Sequence, residues 1–368
     1  MKKVFGVPHS LDKSLLAITF ILLGGGLLIL GSASAALSQK DFGIISYYTL
    51  RQILTGVCTG LVAFFITSRI PYRTWKKWSI PLMILSFGLL TAVFLPQLGY
   101  SWGGARRWLD VGIFSFQPSE ILKFSFIAYL AAWLDARRAQ VGSVSYGMAP
   151  FALMIGIVGV FLIMQPDIGT LGIIVATAAL LYLLGGGKIS QMAVLFVLGA
   201  ILFYLLVQIA PYRLNRILVF LDPNLDPQGI GYQINQAFIA IGSGGVFGKG
   251  FGQSIQKYNY LPEPIGDSIF AIFTEEVGFL GALVLILCFL FFFWRGMMIA
   301  RCAPDMFGKL LAAGISTSIM VQAFVNMAAI SGLLPLTGIA LPFISYGGTS
   351  LAITLAEVGV LLNISKHT

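Results

Sequence analysis

The run SLLAITFILLGGGLLILGSASAAL, residues 14–37, decides the fold, because its 24 consecutive residues carry no charged side chain. An α-helix needs about 20 apolar residues to span the hydrocarbon core of a bilayer. Strands of a membrane β-barrel alternate between apolar and polar residues, which this continuous run does not do. Lys2, Lys3 and Lys13 precede it as in a secretory signal peptide. Because the run is long enough to span and similar runs follow, we expect a retained first membrane helix.

The whole chain continues this pattern. Of its 368 residues 58% are hydrophobic and 10% are charged, and the mean hydropathy is +0.91. The composition predicts an all-α integral membrane protein, a single polytopic domain over residues 1–368. Hydropathy predicts about ten transmembrane helices. They lie near 14–37, 48–68, 79–96, 120–134, 147–165, 168–185, 190–210, 267–294, 308–332 and 346–364.

The net charge of +9 does not indicate nucleic-acid binding, because the cations are scattered between apolar segments and form no run with interleaved aromatics. Cys58, Cys288 and Cys302 show no disulfide or metal-site spacing.

The distribution of basic residues predicts the orientation. Positive residues concentrate on the cytoplasmic side of membrane proteins, which places both termini in the cytoplasm. The residues assigned to that side include Arg73, Lys76, Arg295 and the acids Asp12, Asp135 and Asp305. Two connections then lie outside the cell, residues 97–119 and one long extracytoplasmic loop, about 211–266, between the seventh and eighth spans.

Asp267 ends that long loop, and two interpretations of it remain open. Histidine is excluded from acid–base work on the outer face, since His9 and His367 lie at the cytoplasmic ends of the chain. A carboxylate entering a membrane helix is partly desolvated, which raises its pKa toward the range of a general base. Alternatively, Asp267 caps the helix that follows, because Asp is a favoured N-cap residue.

The connection GGARRWLDVGIFSFQPSEILK, residues 103–123, carries groups suited to an anionic headgroup. Guanidinium groups such as those of Arg106 and Arg107 grip phosphate oxygens, and an indole such as that of Trp108 sits at headgroup depth. An ordinary interfacial anchor explains Trp108 well and the two arginines poorly. Pro118 marks a helix start, and Lys123, one turn inside, meets either Glu120 or a phosphate.

Other acids have more ordinary interpretations. Asp167, in QPDIGT, is either another outer-face acid near the site or a turn and capping residue, and we favour the second interpretation. Glu275 and Glu276 should sit inside the membrane, where charged groups are usually paired or functional. We expect one of them to be buried against a cation from another helix as a structural pair, and the same holds for Glu357 in the last span.

Two further segments are rich in glycine. GSGGVFGKGFG, residues 242–252, lacks the GK[ST] ending of a P-loop and follows no strand, so nucleotide binding is not expected. Close approach to a phosphate remains open, with Lys249 as a point charge. LLPLTGIALPFISYGGTS, residues 333–350, carries prolines and glycines that predict a broken element lining the outer cavity.

Five ordered stretches together resemble the SEDS proteins (shape, elongation, division and sporulation), which include FtsW and RodA. The stretches follow one another in the family order, and the resemblance runs over nearly the whole chain, from about Leu15 to Lys366. They are ARRWLDVGIFSFQPSEILKF, QPDIGT, PYRLNRILVFLDPNLDPQGIGYQINQAFIAIGSGGVFGKGFGQS, YLPEPIGDSIFAIFTEEVGFLGA and GLLPLTGIALPFISYGGTS. The LPE before Asp267 and the LPFISYGG ending look more like FtsW than like RodA.

This resemblance implies a peptidoglycan glycosyltransferase that polymerises lipid II at the outer face of the cytoplasmic membrane, with a class B penicillin-binding protein as partner. It implies that Asp267 is the residue most tied to catalysis, and that Trp108 and the outer arginines handle substrate. The chain departs from the family pattern at Ile265-Gly266, where His-Thr is common, and at Asn259, where an acid is common. Glu263 is a candidate replacement for that acid.

The implied chemistry needs one base and a cationic cradle for the departing diphosphate. Asp267 is the expected base. The candidates for substrate binding are Arg106, Arg107, Trp108, Lys123, Arg213, Arg216, Lys249 and Glu263. A divalent cation, Mg²⁺ or Mn²⁺, could share in the clamp, although no clean ligand set is visible. Three alternatives remain: a RodA-type elongation polymerase, a lipid II flippase that uses Glu275, Glu276 and Glu357, and a scaffold without chemistry.

Overall fold

A computed structural model of the chain describes residues 11–102, 105–110, 112, 115–209 and 211–368. It is predominantly helical, which confirms the predicted fold class. We number the helices α1 to α12 in chain order. They are α1 Lys13–Phe42, α2 Tyr47–Arg69, α3 Tyr72–Ala92, α4 Pro118–Ala136, α5 Val144–Met164, α6 Ile168–Leu184, α7 Ile189–Ile209, α8 Pro211–Leu221, α9 Ile230–Gly244, α10 Ile269–Cys302, α11 Met306–Ile330 and α12 Gly348–Ser365.

Seven of the described helices are long and apolar enough to cross a membrane, namely α1, α2, α5, α7, α10, α11 and α12. The run at 14–37 lies within α1, and α6 is a shorter apolar helix. Helices α3 and α4 coincide with the third and fourth predicted spans. These helices agree with predicted transmembrane helices, but the total of about ten spans remains a prediction.

Helices α11 and α12 form the centre of the bundle. Of the most apolar part of α11 78% is buried, and of α12 67%, against 6% of α7. Glycines allow α12 to lie against α2, since a Cβ at Gly60 would meet Leu355 at 2.6 Å and one at Gly359 would meet Thr67 at 2.1 Å. Helix packing through small residues of this kind is typical of membrane bundles.

Both long connections contain more regular structure than the sequence indicated. Residues 97–119 include a small antiparallel sheet of three strands, β1 Gly99–Trp102, β2 Ala105–Asp110 and β3 Ser115–Phe116. The predicted loop 211–266 contains α8, a 3₁₀ turn at Pro223–Leu225 and α9. Its longest irregular stretch is residues 245–268, which we call the 245–268 segment. The connection thus contains two amphipathic helices separated by turn residues, and its place outside the cell remains a prediction.

A second irregular stretch, the 331–347 segment, joins α11 to α12. It confirms the broken element expected near residues 333–350. Asn326 and Gln322 of α11 hold it, since their side-chain amides donate to the carbonyls of Ile339 (2.7 Å) and Ala340 (3.0 Å). These bonds satisfy backbone groups that have no helical partner, as a membrane interior requires.

Candidate active site

Asp267 lies where four elements meet at one end of the bundle. Helix α10 begins two residues later, with Ser268 as N-cap, so the interpretation of Asp267 as a helix cap was wrong. Its carboxylate Oδ1 accepts a hydrogen bond from Nε2 of Gln233 on α9 (3.2 Å). Its backbone carbonyl accepts from Nδ2 of Asn326 on α11 (2.8 Å). A Cβ on Gly338 of the 331–347 segment would lie 4.0 Å from Oδ2.

The backbone before Asp267 is fixed by the 331–347 segment. The amide of Tyr346 donates to the carbonyl of Ile265 (2.8 Å), and the hydroxyl of Ser345 donates to that of Gly266 (2.7 Å). Gln52 of α2 then holds this part of the segment, accepting from the amide of Gly347 at 3.0 Å. The carboxylate is therefore carried by a rigid support, as a positioned catalytic group requires.

The surroundings raise the pKa of Asp267 from 3.8 to about 6. Desolvation by burial is the largest cause, and the negative charge of exposed Glu263 adds to it. The hydrogen bond from Gln233 and the positive charge of Arg216 act in the opposite direction. A carboxyl with this pKa is mostly ionised at neutral pH and is still basic enough to take a proton in a reaction.

Arg216, on α8, lies close enough to Asp267 for its charge to affect that carboxyl. Its side chain is exposed, and Nη1 donates to the carbonyl of Leu336 in the 331–347 segment (3.1 Å). Asp267, Glu263 and Arg216 are thus three predicted site residues that the fold brings together. The side chain of Arg213, on the same helix, lies outside the described residues.

The arginine pair lies on strand β2, next to the start of α6. Arg106 is exposed, and Trp108 is half-buried opposite Tyr100 of β1. The guanidinium of Arg107 donates to the carbonyls of Gln165 (Nε, 3.1 Å) and Pro166. Helix α6 in turn contacts the 331–347 segment, since a Cβ at Gly169 would meet Ile339 at 2.6 Å. Arg107 is therefore joined to the Asp267 region through α6.

Asp167 caps α6, as predicted. Its Oδ1 accepts from the amide of Thr170 (3.2 Å), and its Oδ2 accepts from the hydroxyl of Ser119 (3.1 Å). Helix α4 begins at Pro118, also as predicted. This capping residue therefore links the starts of α4 and α6.

Lys123 lies inside the bundle and not at an open surface. Its side chain is 5% exposed, and Nζ is 3.0 Å from Oε2 of Glu120 and 2.5 Å from Oε1 of Gln322. Of the two partners expected for it, Glu120 or a phosphate, the structure shows Glu120.

The glycine-rich stretch fills a break in α10. Gly278 has φ 71° and ψ −169°, which interrupts the helix. The backbone of the 245–268 segment supplies the missing hydrogen bonds. The amides of Lys249 and Gly250 donate to the carbonyls of Glu275 and Glu276 (3.0 Å each), and those of Phe279 and Leu280 donate to the carbonyls of Gly245 and Val246. A Cβ at Gly248 would meet the carbonyl oxygen of Glu276 at 2.2 Å, which is why glycine is needed there.

Two ion pairs secure this insertion, and we call them the ion-pair clamp. Nζ of Lys249 lies 2.7 Å from Oε1 of Glu275, and Nζ of Lys257 lies 3.0 Å from Oε1 of Glu276. Ser32 of α1 also donates to Glu276 at 2.6 Å. An ion pair was expected for one of these glutamates, and both have one, but their cations come from the 245–268 segment and not from another helix. The ammonium of Lys249 is thus engaged in structure.

Sequence reasoning missed Gln233, Asn326 and Gly338, which surround Asp267. Each is an ordinary polar residue or glycine in an amphipathic or broken element, and only the fold places them together. Within the described residues, no group of three or more His, Cys, Asp or Glu side chains lies together as a metal site would require.

The family model FtsW/RodA/SpoVE, described as "Cell cycle protein", matches residues 13–368. Stage V sporulation protein E of Bacillus subtilis is 42% identical over 358 residues, which are 97% of each chain. A probable peptidoglycan glycosyltransferase FtsW of Trichlorobacter lovleyi is 40% identical, over 96% of this chain and 93% of that protein.

Solved structures share the fold. A chain from a structure that concerns the coordination of polymerization and crosslinking by a peptidoglycan synthase complex has a TM-score of 0.82 at 26% identity. The match covers 97% of this chain and 98% of that one. The crystal structure of the rod shape determining protein RodA of Thermus thermophilus has a TM-score of 0.71 at 24% identity, with 97% of each chain covered.

Proposed function

The chain belongs to the FtsW/RodA/SpoVE family of cell cycle proteins, and from this premise we propose that it is a peptidoglycan glycosyltransferase of the FtsW type. It polymerises lipid II at the outer face of the cytoplasmic membrane during cell division. Relatives named as probable peptidoglycan glycosyltransferase FtsW are 37–40% identical to it. A class B penicillin-binding protein is its proposed partner.

Asp267 is the proposed base. The oxygen of an acceptor hydroxyl attacks the anomeric carbon of the donor sugar, the bond from that carbon to the diphosphate breaks, and the configuration inverts. Asp267 takes the proton from the hydroxyl. The diphosphate leaves as an anion and needs no proton, so one carboxylate suffices.

The observation that carries this role is the environment of Asp267. It is a partly buried carboxyl with a pKa of about 6, held by an amide on α9 and by backbone bonds to the 331–347 segment. A perturbed carboxyl on a rigid support is a candidate general base on physical grounds.

Arginines form the proposed cradle for the diphosphate. Arg216 lies beside Asp267, Arg106 and Arg107 lie on the neighbouring sheet, and Arg213 is on the same helix as Arg216. Guanidinium groups suit this role because they bind phosphate oxygens bidentately. Lys123 and Lys249 contribute less in this proposal, since each already pairs with a glutamate. Glu263 tunes the base through its charge.

The ion pairs at the opposite end of the bundle support the proposed orientation. Asp305 pairs with Arg73 (2.9 Å), Asp135 with Lys76 (2.5 Å) and Asp12 with Arg295 (2.6 Å). All of these residues were assigned to the cytoplasmic side from the sequence. Asp267 at the other end then faces the cell exterior, where lipid II is polymerised.

The same structure weighs against the flippase alternative. A transport path needs polar groups that can be reached through the bilayer. Of the three acids named for such a path, Glu275 and Glu276 are buried in the ion-pair clamp, and Glu357 is only 4% exposed in α12.

Polymerisation by the purified protein tests the proposal. The full chain, with its penicillin-binding partner, is given lipid II in detergent, and glycan strands are separated by gel electrophoresis. Wild type should form strands, and Asp267→Ala should lose activity at least about 100-fold. Asp222→Ala is the matched control, because Asp222 is an exposed carboxylate that caps a surface turn. Equal activity in Asp267→Ala and wild type would refute the role of Asp267 as the base.

A further inference from the structure

The uncharged part of α10 has the length of the hydrocarbon core of a bilayer. Residues 277–294 lie between Glu276 and Arg295, and these 18 residues carry no charged side chain. They rise about 27 Å along the helix, close to the core thickness of about 30 Å. On α1, Asp12 pairs with Arg295 (2.6 Å). Ser32, 20 residues later and thus about 30 Å away, donates to Glu276 (2.6 Å). Two helices therefore place the ion-pair clamp at one face of the hydrocarbon core.

The glycine-rich stretch passes this level, and we call its residues 245–250 the re-entrant turn. The carbonyl of Val246 accepts from the amide of Leu280 (3.2 Å), which lies four residues beyond Glu276 in the uncharged run. The amide of Gly250 donates to the carbonyl of Glu276 itself (3.0 Å). The re-entrant turn thus extends past the clamp by about one turn of α10 and then returns.

The tip of the re-entrant turn exposes a large aromatic side chain. Phe247 is 81% exposed, and Val246 and Phe251 beside it are exposed as well. At the same level, Phe279 and Leu280 of α10 are also exposed. The tip therefore continues the apolar outer face of α10, a surface that is unfavourable in water and favourable among lipid chains.

The polar groups of the re-entrant turn are held as an apolar medium requires. Backbone groups inside a bilayer need partners within the protein. The amide of Gly248 donates to the carbonyl of Gly244 (2.8 Å), and that of Lys249 donates to the carbonyl of Glu275 (3.0 Å). The ammonium of Lys249 reaches back to the carboxylate of Glu275 (2.7 Å), at the level of the clamp. The turn can therefore enter the hydrocarbon with these groups paired.

We propose that the re-entrant turn inserts Phe247 among the acyl chains of the leaflet at the Asp267 end. The partner of this surface is the lipid bilayer, and the side chains of Val246 and Phe251 face the same chains. The glycines let the backbone lie close against the break in α10, so that the apolar side chains point outward. This placement holds whether or not the protein is a glycosyltransferase, because it follows from helix lengths, exposure and hydrogen bonds.

Collision rates of a nitroxide label test the placement. The three cysteines of the full chain are replaced by serine or alanine, and Phe247→Cys is spin-labelled in vesicles of phosphatidylcholine and phosphatidylglycerol. Oxygen concentrates in the acyl chains, whereas a polar nickel chelate stays in water. The ratio of oxygen to nickel collisions at position 247 should exceed that at Leu225→Cys by about tenfold or more, because polar solutes are excluded from hydrocarbon.

Leu225 is a matched control, since it is also a large exposed apolar residue at the Asp267 end but lies between exposed Asn224 and Asp226. Equal ratios at the two positions would overturn the proposal. The penicillin-binding partner is the other candidate occupant of this surface. Oxygen collisions at position 247 should not change when that partner is added. A loss of collisions with both reagents would show that protein covers Phe247 and would also overturn the proposal.

Wild-type protein gives a second readout that does not depend on how the variants fold. A phosphatidylcholine with a diazirine in its acyl chain is incorporated into the vesicles and activated by light. It should crosslink to peptides that contain Phe247. Crosslinks confined to peptides from the long helices would overturn the proposal.

Discussion

Nε2 of Gln233 lies 3.2 Å from Oδ1 of Asp267 and 2.9 Å from Oγ of Ser268, which joins the first turn of α9 to the start of α10. Gln233 favours the ionised carboxylate, while the charge of Glu263 opposes it. Gln233 therefore lowers the pKa of Asp267, and Glu263 raises it. This opposition makes the role of Asp267 measurable by pH.

Polymerisation should depend on pH through Asp267. The base works when ionised, so kcat/KM should fall as the pH drops through about 6. Gln233→Leu removes a donor that lowers the pKa and should move this acid limb to higher pH. Glu263→Gln removes a charge that raises the pKa and should move it to lower pH. The measurement is a pH profile with lipid II, and shifts of both variants in the same direction would contradict the assignment.

Neutralising Asp267 should remove activity but increase the free energy of unfolding. The pKa of Asp267 is about 6 in the folded protein against 3.8 as the ordinary value, so its ionisation disfavours the folded state as the pH rises through this range. At pH 8, Asp267→Asn should be more stable than wild type by about 1–3 kcal/mol. Near pH 4 the difference should disappear.

Thermal unfolding in detergent, followed by intrinsic fluorescence, measures this effect. Asp222→Asn serves as the control, because that carboxylate is exposed in a surface turn. A lower melting temperature for Asp267→Asn than for wild type at pH 8 would show that the carboxylate stabilises the fold.

The ion-pair clamp should be needed for stability. Lys257 and Glu276 have side chains only 4% and 3% exposed. Lys257→Met leaves a buried carboxylate without its cation and should cost about 3–5 kcal/mol. The double variant Lys257→Met/Glu276→Met should recover much of this loss. Lys249→Met should cost less, because Lys249 is 31% exposed and Glu275 keeps the hydroxyl of Ser254 at 2.5 Å.

Melting temperatures of the four proteins, including wild type, decide between pairing and simple packing. If the double variant is as unstable as Lys257→Met alone, the charges of the pair are not the cause.

Gly278 should tolerate no side chain. Its φ is 71°, and a Cβ would lie 2.3 Å from the amide nitrogen of Gly248 and 2.5 Å from the carbonyl oxygen of Val246. Gly278→Ala should therefore expel the 245–268 segment from the break and abolish folding or activity. Gly242→Ala is the control, because a Cβ there meets nothing within 4 Å and alanine favours helix. Equal expression and melting temperature of both variants would contradict this account.

The sequence was sufficient for the long apolar helices, though not for α8 and α9, because an uninterrupted apolar run has only one structural solution in a bilayer. It also led to Asp267, because polar residues in such a chain are few. It could not place the partners of Asp267. Gln233 and Asn326 are 34 and 59 residues away in the chain, and only helix packing brings them close.

The glycine-rich stretch at 242–252 shows a second limit. Glycine permits close backbone approach, but the pattern does not say to what. A phosphate and the broken helix at Gly278 both satisfy it, and the structure shows the helix. The role of Lys249 was ambiguous for the same reason, because an isolated cation can pair with a phosphate or with a buried glutamate.

Orientation in the membrane gives the last prediction. Leu225 is 61% exposed, in the turn between α8 and α9 at the Asp267 end, and Arg138 is exposed after α4, near Asp135. Cys58 and Cys302 are themselves exposed and must first be replaced, together with Cys288, by serine or alanine. In that background a membrane-impermeant maleimide added to intact cells should label Leu225→Cys and spare Arg138→Cys until the cells are opened. If Arg138→Cys alone were labelled in intact cells, the bundle would have the opposite orientation. Asp267 would then lie on the cytoplasmic side, where lipid II polymerisation does not occur.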